Sequence, residues 1–122
     1  MSSITQIVPG TPFGCTTYKN LDVDETGVLV AGGEHNIYGF IVTNNNAAKL
    51  FLKFYNKLTA PAVGTDTPLA TIQIGPGVVV PYSITQGWHF TLGIGVGATT
   101  GVADNNTGAP GTNDIILTIL YK

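Results

Sequence analysis

The sequence contains no arginine and little charge of either sign. Its 122 residues include five lysines and seven acidic residues, and charged residues make up 10% of the chain, against roughly 25% in an average soluble domain. Arginine supplies most bidentate contacts to phosphates and base edges, so its absence and the net charge of −2 disfavour nucleic-acid binding. A surface with so few charges is often covered in part by another chain, which favours an oligomer.

Cysteine and long apolar runs are scarce as well. Cys15 is the only cysteine, so the chain cannot form an intrachain disulfide, and a small buried thiol is its simplest role. No apolar run approaches the roughly 18 residues that a membrane span requires. The N-terminus lacks the basic and apolar regions of a signal peptide. We therefore expect a soluble, non-secreted protein without a membrane partner, and the free thiol suits assembly in a reducing cytoplasm.

No group of residues has the spacing of a catalytic or metal site. His35 and His89 are the only histidines, whereas a zinc site needs three or four ligands. Gly93–Ala98 formally matches the dinucleotide-binding pattern, but the residues after it cannot form the helix that would hold a pyrophosphate. The loop from Asp104 lacks the glycine and glutamate that an EF-hand requires, and a calcium ion there stays an alternative. We predict no catalytic residues, no cofactor and no metal.

Glycine and proline divide the chain into short runs of β-branched and aromatic residues, which is the pattern of an all-β protein. We predict a single-domain antiparallel β-sandwich of about eight strands. The predicted strands are Cys15–Lys19, Val28–Ala31, Ile37–Asn44, Lys49–Asn56, Leu69–Ile74, Val78–Ile84, His89–Val96 and Ile115–Tyr121. Residues 1–14 contain no predicted strand and form an N-terminal arm before the sandwich domain of residues 15–122.

Two prolines and one long loop carry further predictions. Gly75-Pro76-Gly77 suits a tight turn between two predicted strands, so we predict a hairpin there. Pro81 lies inside the returning strand and cannot donate a ladder hydrogen bond, so that strand is an edge strand or is bulged. The polar segment Thr99–Asn113 has no strand pattern, and a loop of this length is uncommon unless it is functional or disordered.

The segment Lys49–Leu58 fits a strand, which its aromatic residues and flanking turns favour, or a helix with a lysine stripe. As a strand it directs Leu50, Leu52 and Phe54 inward. The outward set comprises Lys49, Phe51, Lys53, Tyr55 and Lys57. Its lysines suit either a solvated face that discourages edge pairing or docking against an acidic partner.

Several predicted strands are apolar on both faces. Tyr38, Phe40 and Val42 are predicted to oppose Ile37 and Ile41, and the last strand is apolar on both sides as well. An isolated sandwich normally exposes one face of each sheet to water. The outer faces should therefore meet loops or another chain, and the low charge favours another chain.

Two smaller groups are also candidates for contacts. The segment Leu92–Gly97 has a glycine face, where a neighbouring backbone of this chain or of a second subunit can approach closely. The glycines of that face are Gly93, Gly95 and Gly97. Trp88, His89 and Tyr82 would form an aromatic platform for a sugar, or would pack in the core or an interface.

A longer pattern runs through the second half of the chain. A strand ends in Lys-x-Tyr-Asn-Lys, Thr-Ala-Pro-x-Val-Gly-Thr-Asp-Thr-Pro follows, and a short strand leads to a Pro-Gly turn. A Gly/Ala/Thr-rich strand and loop and the terminal IILTILYK complete it. This order resembles small structural proteins of tailed bacteriophages over Leu50–Lys122, more than half of the chain.

The resemblance implies a virion component, and the small stand-alone proteins of this kind resemble capsid decoration, or cement, proteins. Such proteins often have jelly-roll or related β-sandwich folds and sit as trimers on the capsid exterior. We therefore expect a non-enzymatic homotrimer bound to the major capsid protein. Its interface candidates are Lys49, Phe51, Lys53, Tyr55, Lys57, Tyr38, Phe40, Trp88, Gly93, Gly95 and Gly97. A receptor- or carbohydrate-binding module of a phage fibre, using the 99–113 loop and the Trp88 region, is the alternative, and a small enzyme is a third.

Overall fold

The computed structural model describes residues 5–8 and 14–122. This part of the chain forms nine strands, and every pairing between them is antiparallel. The strands are β1 (Thr5–Val8), β2 (Thr16–Asn20), β3 (Val28–Gly32), β4 (His35–Asn44), β5 (Leu50–Asn56), β6 (Ala70–Ile74), β7 (Val79–Phe90), β8 (Gly93–Thr99) and β9 (Ile115–Tyr121). They form a five-stranded sheet, β1-β2-β9-β4-β7, and a four-stranded sheet, β3-β8-β5-β6. The predicted all-β antiparallel sandwich is confirmed.

The strand order follows one simple rule. β2 pairs with β9, β3 with β8, β4 with β7 and β5 with β6. In this series of eight strands the first therefore pairs with the last, the second with the second-last, and so on inward. The chain thus runs as one long antiparallel pair that passes back and forth between the two sheets. Most strands that follow each other in sequence therefore lie in opposite sheets.

The core lies between the two sheets. Along β9 the inward residues Ile115, Leu117 and Ile119 are buried and alternate with partly exposed residues, as the period of a strand requires. Aromatic rings fill the centre, where Phe54 lies 4.9 Å from Trp88 and 5.1 Å from Phe40 between ring centroids. One continuous apolar cluster therefore holds the sheets together.

Two boundary predictions need correction. The predicted strand His89–Val96 is wrong because β7 continues to Phe90 and β8 begins at Gly93. The bend between them is pinned by Asn56, whose Oδ1 accepts a hydrogen bond from the Leu92 N–H at 2.8 Å. Residues 5–8, predicted without a strand, form β1 and pair with β2. The rest of the predicted N-terminal arm up to residue 13 lies outside the described residues, and the domain boundary at residue 14 stays a prediction.

The two proline predictions have different outcomes. The Val78 N–H donates to the Gly75 carbonyl at 3.2 Å and Gly77 has φ 69°, so the tight turn is present. Its flanking strands lie in different sheets, however, so the hairpin prediction is wrong. Pro81 lies in the edge strand β7, as predicted.

The pairing of β7 with β4 explains why Pro81 is tolerated. The Asn44 N–H donates to the Val78 carbonyl at 2.9 Å, and Pro81 lies opposite Ile41, an odd number of positions away. Because hydrogen-bonded pairs alternate along an antiparallel ladder, the backbone nitrogen of Pro81 faces the open edge. Its missing N–H therefore removes a donor from the free edge and leaves the ladder intact.

A bulge in β4 overturns the predicted faces of that strand. The register shifts between Ile37 and Gly39, which reverses the alternation at that point. Ile37, Phe40 and Val42 are consequently all buried inside the sandwich, while Ile41 lies on the outer face with 49% of its surface exposed. The prediction that Phe40 and Val42 oppose Ile37 is wrong.

Candidate interaction surfaces

The outer face of the four-stranded sheet is covered by the chain itself. Phe51, Lys53 and Tyr55 alternate with the core residues of β5, yet all three are buried. The 57–69 connector packs on this face, where a Cβ at Gly95 would lie 3.0 Å from Pro61 and one at Gly97 only 2.7 Å from Val63. Of the two alternatives for the glycine face, the structure therefore contains the close approach within one chain.

The 57–69 connector is held in place by Asp66. Its Oδ2 accepts a hydrogen bond from the Ala62 N–H at 2.8 Å and lies 3.1 Å from Lys57 Nζ, while the Asp66 N–H donates to the Ala62 carbonyl at 2.8 Å. The hydrogen bond from Ala62 and the neighbouring Lys57 lower the pKa of the Asp66 carboxyl. Lys57 is therefore part of a local turn and does not extend a row of lysines.

Lys53 fastens a second connector over the same sheet. Its ammonium is fully buried and donates to the Ala103 carbonyl at 2.7 Å. Burial lowers the pKa of Lys53, and the nearby Asp104 carboxylate opposes this shift. Lys53 lies on the outer face of β5 as predicted but is buried there, and Lys57 is paired with Asp66, so only Lys49 of these three lysines is exposed.

The 99–113 loop that Lys53 holds is ordered by its own side chains. Asn106 Oδ1 accepts hydrogen bonds from the N–H groups of Gly101 at 3.0 Å and Gly108 at 2.9 Å, and the Thr100 N–H donates to the Gly108 carbonyl. This network leaves the tip of the loop in solvent, with Val102 63% exposed and Asp104 exposed. The loop is thus a rigid projection from the outer face of the four-stranded sheet.

Tyr55 has an unusual environment beneath these connectors. Its hydroxyl is buried and has no hydrogen-bond partner in the described part of the chain. Burial, and to a smaller extent the carboxylates of Asp66 and Asp104, raise the pKa of Tyr55 to about 12. The phenol is therefore neutral and closed off from solvent, so it offers no surface to a partner.

The outer face of the five-stranded sheet is open where the structure describes it. It contains a groove of about 700 Å³ whose lining includes Tyr38, Ile41, Pro81, Leu120 and Lys122. The Lys122 ammonium lies 5.3 Å from the centre of the Tyr38 ring. The apolar outer face predicted from the sequence is thus present on this sheet, and no described loop covers it.

A second apolar surface lies where the edge strands β6 and β7 face each other across the open side of the sandwich. A cleft of about 410 Å³ there is lined by Ile72, Tyr82, Ile84 and Trp88, among others. The Tyr82 ring is 57% exposed and packs edge-on against Phe40. Of the three residues predicted to form a sugar platform, Tyr82 and Trp88 share this cleft, and sugar binding stays a prediction.

His89 lies outside that platform. It pairs with Asn36 in the sheet, and its ring nitrogens lie 2.7 Å from Asn36 Oδ1 and 2.8 Å from Glu34 Oε2. His35 is held separately, near the Gly32 carbonyl and against the ring of Tyr121. Within residues 14–122 no three His, Cys, Asp or Glu side chains are placed to hold a metal ion.

The eleven predicted interface candidates divide into two groups. Seven are buried within the chain: Phe40, Phe51, Lys53, Tyr55, Gly93, Gly95 and Gly97. These seven have no outer surface for a partner. The other four keep some exposure: Lys49 just before β5, Lys57 in its ion pair, Tyr38 in the groove and Trp88 in the cleft.

The sequence analysis missed Lys122, Val102 and Asp104 as surface features. Lys122 continues the outward alternation of Thr118 and Leu120 in β9, so the period of that strand already placed it on the outer face. For Val102 and Asp104 the polar loop pattern carried no comparable signal, because only the folded loop decides which of its residues project.

No protein-family model matches the chain, and neither a curated protein nor a solved structure matches it. In the described part of the chain, no helix has the length and apolar character needed to cross a membrane.

Proposed function

We propose that this chain is a non-enzymatic virion structural protein that decorates and stabilises a bacteriophage capsid. It would act as an oligomer, with a homotrimer favoured, bound to the major capsid protein on the exterior of the shell after assembly in the host cytoplasm. The observation that carries this proposal is the open apolar outer face of the five-stranded sheet, with Ile41 and Val79 about half exposed. Packing this apolar surface against another chain would remove it from water, which favours association.

The edge strand supports contact through the face of the sheet. Pro81 removes a hydrogen-bond donor from the free edge of β7, and a proline at an edge discourages the addition of a further strand. Subunits would therefore associate through packed side chains on the outer face, in the way that obligate oligomers bury apolar surface.

We further propose that the sandwich is a jelly roll. This class has eight strands in two sheets, and β2 to β9 supply four strands to each sheet. The nested pairing from β2 with β9 inward to β5 with β6 supports the assignment, because a jelly roll arises by rolling up one long antiparallel pair. Jelly rolls are among the folds that the resemblance to virion proteins implies.

The mechanism would be cementing. A protein that binds the assembled shell and not its separated subunits stabilises the shell by mass action. Several weak contacts on one oligomer add avidity without requiring a tight single site. Of the lysines expected to dock against an acidic partner, Lys53 is buried and Lys57 is paired with Asp66, so the capsid contact would use other surfaces.

The direct test mixes the purified chain with capsids of the source phage from which it has been removed, and sediments the mixture. Saturable co-sedimentation at a fixed ratio to the major capsid protein, together with a higher temperature of genome release, is the expected result. Cryo-electron microscopy of the same particles then locates the chain. A stable monomer with no affinity for the capsid would contradict the proposal.

The cleft between β6 and β7 supports a second candidate, a receptor- or carbohydrate-binding module of a phage fibre. Tyr82 and Trp88 line this cleft together, and exposed aromatic rings are suited to stacking on apolar ligand surfaces. Binding on a glycan array that is lost in Trp88→Ala but kept in Ile41→Ser would favour this function over capsid decoration.

A further inference from the structure

We propose that copies of this chain associate head to tail, with the loop tip of one copy in the sheet groove of the next. The loop tip comprises residues 101–104, and the sheet groove is the one on the outer face of the five-stranded sheet. Val102 would enter the groove and Asp104 would lie opposite Lys122. The inference rests on the self-association in the proposed function and adds the two surfaces that meet.

The residues that line the sheet groove favour a ligand that is apolar and negatively charged. Its lining includes Ile41, Leu120 and Tyr38, and its one charged residue is Lys122. Lys122 contacts the Tyr38 ring, and within the described residues no carboxylate lies within ion-pair distance of it. Glu34, at the margin of this sheet, is already 2.8 Å from His89 Nε2. A partner that brings a carboxylate would therefore complement the groove.

The same charges argue against packing two sheet grooves face to face. Lys19 pairs with Thr118, a groove residue, so it projects from the same outer face as Lys122. A symmetric contact between two such faces would bring lysines toward lysines, and like charges at an interface oppose association. The complementary surface is therefore expected on a different part of the molecule.

The loop tip has the required chemistry. Val102, at 63%, is the most exposed of the large apolar side chains in the described residues. Asp104, two residues later, is also exposed and has no hydrogen bond or ion pair within residues 14–122. Leu58 is nearly as exposed, but its neighbour Lys57 carries the same sign of charge as the groove. The loop tip therefore combines an exposed apolar side chain with an exposed carboxylate that forms no ion pair in the described residues, although its charge acts on the nearby Lys53 ammonium.

The loop tip is also held rigid before any partner arrives. Lys53 fixes the Ala103 carbonyl, the Asn106 N–H donates to the same carbonyl at 3.0 Å, and Asn106 Oδ1 fixes Gly101 and Gly108. A segment that is already ordered loses less conformational entropy on binding. By holding the loop tip in place, the buried Lys53 would keep Val102 and Asp104 positioned for the contact.

The two surfaces lie on opposite sides of the sandwich. Lys53 holds the loop over the outer face of the four-stranded sheet, whereas the groove lies on the outer face of the five-stranded sheet. Two different patches that meet make a heterologous contact, and patches on opposite faces of a molecule repeat into an open row of copies unless the rotation between copies closes them into a ring.

Charge reversal tests this contact. Lys122→Glu and Asp104→Lys, each alone, should weaken self-association roughly tenfold or more because like charges then meet. The double variant should recover most of the affinity, since the pair is restored with its signs exchanged. Lys49→Glu and Glu25→Lys, which change the net charge equally elsewhere, should leave association unchanged. Sedimentation equilibrium gives the dissociation constants, and circular dichroism confirms that each variant folds.

If Asp104→Lys unfolds the loop by its proximity to Lys53, Val102→Ser and Asp104→Asn test the same contact without adding a cation. Both should weaken association while circular dichroism stays unchanged. A wild-type oligomer that is unaffected by all these changes would overturn the head-to-tail contact and leave the proposed function standing. A wild-type chain that is monomeric at every concentration would overturn both.

Discussion

Tyr55 and Lys53 both extend from the outer face of β5, and both are sealed beneath connectors. The polar groups of the two buried side chains differ in their hydrogen bonding. Lys53 finds a carbonyl acceptor at 2.7 Å, while the Tyr55 hydroxyl has no partner in residues 14–122. An unsatisfied buried hydroxyl costs about 1–3 kcal/mol of folding stability. The buried ring of Tyr55 therefore stabilises the fold, while its unpaired hydroxyl destabilises it.

Tyr55→Phe should therefore stabilise the protein. Below pH 10 we expect a gain of about 1 kcal/mol in the free energy of unfolding, from loss of the unpaired hydroxyl. The pKa of Tyr55 is about 12 in the folded chain against 10 when unfolded, so the wild type loses stability as pH rises from 10 to 12. The advantage of the variant should grow by roughly 2–3 kcal/mol over that range.

Urea unfolding at pH 8 and pH 11.5 measures both effects, with Tyr82→Phe, an exposed phenol, as the matched control. Equal stability of wild type and Tyr55→Phe at pH 8 would contradict the cost of the unpaired hydroxyl, and equal stability at pH 11.5 would contradict its raised pKa.

The burial of Lys53 illustrates what a sequence leaves open at this scale. Alternation correctly placed Lys53 on the outer face of β5, and Leu50, Leu52 and Phe54 in the core. Whether an outer face meets water depends on connectors that pack over it from distant parts of the chain, here through the carbonyl of Ala103. A contact of that kind leaves no periodic signal in either segment.

At the scale of elements, the 57–69 connector packs closely on strand β8 because the glycines of that strand have no side chains. Gly95 lies against Pro61 and Gly97 against Val63, so the connector approaches the strand backbone directly. The sequence analysis recognised the glycine face and left two partners open, a neighbouring segment or another subunit. The connector fills this place although β5 and β6 are neighbours in the sheet, so joining them does not in itself require a passage over β8.

Gly97→Ala should destabilise the fold by about 1–3 kcal/mol, since its Cβ would lie 2.7 Å from Val63 Cγ2 and force overpacking. Val63→Ala in the same chain removes the conflicting methyl groups and should recover most of this loss. Thermal or urea unfolding of the two single variants and the double variant measures the coupling. Strictly additive effects would contradict the proposed contact.

Pro81 protects the edge strand β7 against pairing with a strand of another molecule. Pro81→Val restores an N–H on the open edge and should increase aggregation through strand addition, with the native fold unchanged. Light scattering at rising concentration follows the effect, and Ser83→Val, which adds a β-branched residue without adding a donor, is the control. Equal aggregation of Pro81→Val and this control would contradict a protective role for the proline.

Strand positions were more predictable than strand partners. The strand Ile115–Tyr121 was predicted with its observed limits, and most others within two residues, because short β-branched runs and turn residues mark them locally. The bulge in β4 and the end of β7 depend on register with neighbouring strands, which the local pattern does not contain.

At the scale of the whole molecule, the two outer faces of the sandwich differ. The four-stranded sheet is covered by connectors of its own chain, and the five-stranded sheet presents an apolar groove. The low content of charged residues predicted that another chain would cover part of the surface. In the fold, the apolar surface left open for such a contact lies on the five-stranded sheet. Because that assignment depends on the order β2-β9-β4-β7, which joins segments from opposite ends of the chain, composition alone did not contain it.

Sedimentation equilibrium of the wild-type chain and of Ile41→Asp tests the central claim most directly. Ile41 is half exposed in the sheet groove, so an aspartate there should not unfold the monomer but should place a carboxylate in the apolar contact. We predict a defined oligomer for the wild type and a monomer for Ile41→Asp, with Thr112→Asp, at an exposed loop position, behaving as the wild type. A wild-type monomer at all concentrations, or an oligomer unchanged by Ile41→Asp, would contradict association through the open sheet face.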